Sequence, residues 1–136
     1  MNSIDILRYN CAGRHPPLQA PGEDGFLKLL RPFRELSLDR FRDIHSAVED
    51  IFLHSDDDLT IFDAIYQLNE CSIAIYNYAV NPRGPLLKNH LINQDAADLA
   101  QKMHYCLRGY ISCLTNKRLH VNELSPKNVY DGNFGS

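Results

Sequence analysis

The chain contains no lysine or arginine between Asp43 and Pro82. That gap excludes a phosphate-gripping surface over the middle third of the chain, because the carboxylates there repel a polyanion. No apolar run approaches the roughly 18 residues that a membrane helix needs, so no transmembrane span is expected. The start, MNSIDILRYN, lacks the basic and apolar regions of a secretory signal. A cytoplasmic location is therefore expected. The cysteines, Cys11, Cys71, Cys106 and Cys113, form no CxxC pair, which points to buried free thiols in a reducing compartment rather than a disulfide framework.

Other absences concern chemistry. No HExxH, HxxxH or Glu-x-x-His spacing occurs, so no metal ligands are assigned. No GxSxG, Walker A or GxGxxG motif occurs, so no catalytic residue and no cofactor is assigned, and the chain is not expected to be an enzyme. Internal repeats and low-complexity segments are lacking too.

At 136 residues, with 44% hydrophobic and 23% charged composition, the chain is read as one globular domain over residues 1–136. The fold class expected is all-α. Three long helices plus short ones make a small bundle, with an irregular N-terminal loop at 13–24 and a partly irregular C-terminal tail from about 125 to 136.

The central element is 56–81, DDDLTIFDAIYQLNECSIAIYNYAVN. Leu59, Phe62, Ile65, Tyr66, Ile73, Tyr76 and Val80 recur at helical spacing and are read as its core face. Asn81-Pro82-Arg83-Gly84-Pro85 breaks it. Before it, Ser37 caps a helix over 38–54, and one of Ser55 to Asp58 caps the central helix. After it, a long helix starts at Asn93 or Gln94 and runs to about Thr115. A short first helix lies within 2–12, with Ser3 as its cap. One or two helical turns over 25–35 end near Arg31, before Pro32.

Charge is segregated along the chain. Residues 1–42 carry seven basic and five acidic side chains, and residues 83–136 carry seven and four. The stretch between holds eight carboxylates and no cation: Asp43, Glu49, Asp50, Asp56, Asp57, Asp58, Asp63 and Glu70. A field of one sign on adjacent helices steers a basic partner. Tyr66 and Tyr78 lie in the same stretch and are read as aromatic anchors, Tyr78 as exposed. These ten residues form the expected partner-binding surface. Direct nucleic-acid binding is not expected, because net charge is −3.

With its small helical character, acidic centre and lack of catalytic motifs, the chain resembles the bacterial immunity proteins of contact-dependent growth inhibition and related systems. The resemblance is one of size and general character over the whole length. It implies an antitoxin that binds a basic nuclease toxin domain tightly and covers its cleft. Arg40 and His45 supply another likeness, the R-x4-H spacing of HEPN-type helical RNases, although Phe41 stands where that family favours a small polar residue. It implies an alternative as a small RNase or nucleotide-binding enzyme. A third reading is a dimerising helical adaptor.

Overall fold

The computed structural model describes residues 1–14, 20–31, 33–118 and 125–126. Among these residues the fold is entirely helical, with no strand. The helices are α1 (Ser3–Asn10), α2 (Phe26–Leu30), α3 (Leu38–His54), α4 (Asp58–Ile75), α5 (Pro85–Lys88) and α6 (Gln94–Arg118). A π-helical turn, Tyr76–Val80, extends α4 directly. None of these helices is long and apolar enough to cross a membrane.

α3 has the bounds that the sequence predicts. Ser37 Oγ accepts the Arg40 N–H at 3.2 Å, which satisfies one of the orphan donors at the helix start. Phe41, Ile44, Ala47, Val48 and Ile51 form its buried stripe. Its last carbonyls are met from elsewhere: Lys117, on α6, donates to Ile51 O and Phe52 O. A cation at a helix C-terminus also opposes the negative end of its dipole. α1 is capped by Asn2 rather than by Ser3, because the Asn2 side chain accepts the Asp5 N–H while the Ser3 hydroxyl turns to Asp50.

The central helix is where the expected core face needs correction. Leu59, Phe62, Ile73 and Tyr76 are exposed, and Ile65, Tyr66 and Val80 are half-buried. The buried face is Ile61, Ala64, Gln67, Leu68, Cys71, Ser72 and Ile75. α4 carries apolar side chains around most of its circumference, so bulk alone does not mark the inward side. Small residues do: Ala64, Cys71 and Ser72 let α6 approach closely, and α4 and α6 share the most extensive interface of the bundle. α6 presents Met103, Leu107, Tyr110 and Leu114 to the core.

α1 closes the bundle against α3 and α4. Phe26, Phe41 and Tyr110 stack in series, with ring centroids 5.7 and 6.3 Å apart. Each such fully buried apolar side chain contributes roughly 1.5–3 kcal/mol. Beyond the π turn, Gly84 donates to Asn81 O at 2.7 Å. A Cβ there would sit 2.3 Å from Asn77 O, so the close return of the chain requires glycine. Much of the 13–24 loop and most of the 125–136 tail lie outside the described residues; Ser125 and Pro126 are placed, and Pro126 is helical and buried.

Candidate functional site

The eight carboxylates of the cation-free stretch do not form one bare acidic face. Four of them, Asp43, Asp56, Asp58 and Asp63, lie within ion-pair reach of an Arg or Lys from the flanking segments. Asp63 accepts from Arg8 Nε at 2.9 Å and Nη2 at 2.5 Å. Burial lowers the proton affinity of Arg8, but the hydrogen bonds and charges of Asp63 and Asp5 outweigh it and raise the guanidinium above its ordinary value. Asp43 pairs with Arg40 at 3.3 Å within α3. Asp50 accepts the Ser3 hydroxyl at 2.6 Å and so ties the start of α1 to α3. Glu49 lies 3.9 Å from His45 Nε2, one helical turn back.

The aspartate triplet behaves differently. It occupies the corner between α3 and α4, and all three residues are exposed. Asp57 is the cap of α4: it accepts from the Thr60 hydroxyl at 2.8 Å and the Leu59 N–H at 3.2 Å. Those two hydrogen bonds, Thr60 first, hold its carboxyl below the usual range. Asp56 reaches Lys117 only at 4.0 Å and is fully open to solvent. Asp58 lies 3.3 Å from Arg118 Nε, a charge contact without hydrogen-bond geometry.

Large apolar side chains flank this corner. Leu53 is 57% exposed, Leu59 78% and Phe62 50%. The Arg118 guanidinium lies over the Phe62 ring, 5.3 Å from its centroid. The corner therefore combines fixed negative charge with uncovered apolar surface. The sequence marks the triplet but not its neighbours, because Leu59 and Phe62 read there as core.

Glu70, Tyr66 and Tyr78 lie away from the triplet. Tyr66 is half-buried on α4. Tyr78 is half-buried against the core rather than exposed, because the π turn faces its ring to α2, where Arg31 lies 6.0 Å from the ring centroid. Glu70 and Tyr78 instead line a groove of about 870 Å³ between α2 and the α4–π segment. Sequence reasoning missed this groove because its two walls are some forty residues apart in the chain.

Arg40 and His45 are both engaged inside the fold. Arg40 bonds Asp24 at 2.7 Å and lies over the Tyr9 ring. His45 Nδ1 is 2.8 Å from the Tyr110 hydroxyl. All four cysteines are buried free thiols. The Cys11 thiol is pushed well above its ordinary value by its hydrogen bond to Cys71 and by burial. Among the described residues no three His, Cys, Asp or Glu side chains cluster as a metal site would require. No protein-family model matches the chain, and neither a curated protein nor a solved structure matches it.

Proposed function

We propose that the chain is a protein-binding inhibitor that neutralises a basic partner, such as a nuclease toxin domain, and that the α3–α4 corner leads the contact. The observation that carries this reading is the run of three exposed carboxylates, Asp56 to Asp58, flanked by exposed Leu53, Leu59 and Phe62. The carboxylates offer the negative charge to which a basic, phosphate-binding cleft is complementary. The apolar side chains supply the desolvated centre that gives an interface its affinity. Asp57 is held by Thr60 and Leu59, so its carboxylate is ordered before the partner arrives. Glu70 and Tyr78 are not part of this corner. Asp43 and Asp63, paired internally, shape the scaffold rather than the contact.

The test uses a basic nuclease toxin domain that the chain is shown to bind, with association followed by stopped flow. Asp56→Lys and Asp58→Lys together leave the Asp57 cap intact. The double variant is expected to associate at least about tenfold more slowly at low salt, with the difference closing as salt rises. Leu59→Ala with Phe62→Ala is expected to speed dissociation instead, since losses at a desolvated centre act on lifetime. Equal association rates for wild type and the charge-reversed variant at low salt would sink the steering role.

A further inference from the structure

The groove beside Tyr78 is a second feature that the corner does not use. Leu27, Ile73 and Ala74 give it an apolar lining. Lys28 and Arg31 stand on one wall, one helical turn apart. Among the described residues neither has a carboxylate within ion-pair reach, whereas Arg8, Arg14, Arg40, Arg42 and Arg118 each have one. Glu70 and Asn77 line the other wall, from α4 and the π turn. Glu70 therefore shares the groove with two cations and forms no ion pair with either.

We propose that this groove binds a small organic anion with a planar ring body. Lys28 and Arg31 take the anionic group, Tyr78 meets the ring, and Glu70 with Asn77 takes donor groups at the far end. The volume of about 870 Å³ lies in the range of small-molecule sites, which commonly run about 300–1,000 Å³. At 6.0 Å the Arg31 guanidinium sits at the outer limit of attraction to the Tyr78 ring, so it is loosely held and swings to an incoming anion. Cations on one wall and a carboxylate on the other select a molecule with opposite polarity at its two ends. The π turn contributes two of the polar groups, Asn77 and Tyr78; such turns gather at functional sites because their widened backbone re-aims side chains. The triplet corner lies about 20 Å away along α4, outside the groove.

The shared chemistry has two sources, a nucleoside monophosphate or an amino-substituted aryl carboxylate. Titration of the full chain with adenosine monophosphate and, separately, with 4-aminobenzoate, followed by two-dimensional amide NMR, distinguishes them. The expected result is saturable shifts at Lys28, Arg31, Glu70, Asn77 and Tyr78 with a Kd below about 1 mM for one of the two. Lys28→Ala with Arg31→Ala, both outside the core, is expected to weaken that binding at least about tenfold while the rest of the spectrum stays in place. Arg31→Lys should recover part of the loss. The proposal is overturned if neither probe binds with a Kd below about 1 mM, if the anionic group or the ring alone (inorganic phosphate or adenosine for the nucleotide, acetate or aniline for the aryl carboxylate) binds as well as the whole probe that does bind, or if the double alanine variant binds like wild type.

Discussion

Gln67 holds the end of α1 to the rest of the bundle. Its side chain is fully buried. Oε1 accepts the Ala12 N–H at 2.8 Å, and Nε2 donates to Gly13 O at 2.5 Å and to Asp63 Oδ1 at 3.1 Å. Gln67→Leu keeps the bulk but strands a backbone donor and acceptor, each costing about 1–3 kcal/mol. A fall in the urea midpoint of that order is expected, larger than for Gln101→Leu on the exposed side of α6. A polar residue in a helix reads as surface, so this role was not legible; the available signal was that Gln67 lies one turn from Asp63 and from Cys71 on the same face. Tyr9 and Asp24 form another local device. The Tyr9 hydroxyl donates to Asp24 and, with help from Arg40, holds that carboxyl below its usual range against the opposing effect of burial. The same hydrogen bond raises the Tyr9 hydroxyl above its ordinary value. The Asp24 contribution is complete above its unfolded pKa, about 3.9, and is lost as pH falls through the lower folded value. The Tyr9 contribution is complete below its unfolded pKa, about 10, and is lost as pH rises through the higher folded value. Urea midpoints of wild type and Tyr9→Phe should therefore differ most at neutral pH and converge toward both extremes.

At the scale of elements, the π turn and the close return after it decide the shape of the groove. Asn81 N–H bonds Tyr76 O at 2.8 Å, the five-residue step of a π helix. Gly84 then passes so near Asn77 that a methyl group forces backbone apart from backbone. Gly84→Ala is expected to cost about 1–3 kcal/mol, the usual scale of overpacking. Amide exchange should quicken at 76–84 first, before α3 is affected; uniform exchange across the chain would contradict this placement. Helix bounds were largely legible because their signals are local. Ser37, the His54–Asp58 turn and the Asn81–Pro85 breaker all fall where α3 and α4 begin or end. The inward side of α4 was not legible from apolar bulk. Its partner α6 selects Ala64, Cys71 and Ser72 for close approach and leaves Leu59, Phe62, Ile73 and Tyr76 outside. Along α3, Arg40 and Arg42 precede Glu49 and Asp50, the less favourable order for its dipole, and the fold answers it from more than sixty residues away, where Lys117 donates to the last carbonyls.

Over the whole molecule, the charge segregation of the sequence is a set of complementary halves. Arg8 from α1 meets Asp63, Arg40 meets Asp43, and Lys117 and Arg118 from α6 meet Asp56 and Asp58. The sign of the central stretch was legible, but its partial pairing was not, because the partners come from opposite ends of the chain. This arrangement fixes the sign of the response to salt. If the eight carboxylates were unpaired, their mutual repulsion would strain the fold and added salt would stabilise it. Those that are paired, Asp43, Asp56, Asp58 and Asp63, lose attraction instead. Raising ionic strength from about 0.1 M to about 1 M shortens the screening length from about 10 Å to about 3 Å. Surface pairs contribute about 0–1 kcal/mol each. The urea midpoint is therefore expected to fall modestly with sodium chloride, by less than the Gln67→Leu loss. Arg8→Met removes the partner of Asp63 and leaves that carboxylate among its acidic neighbours, so in this variant the fall should shrink or become a rise. A wild-type midpoint that climbs with salt would mean that repulsion dominates and that the pairs do not hold in solution.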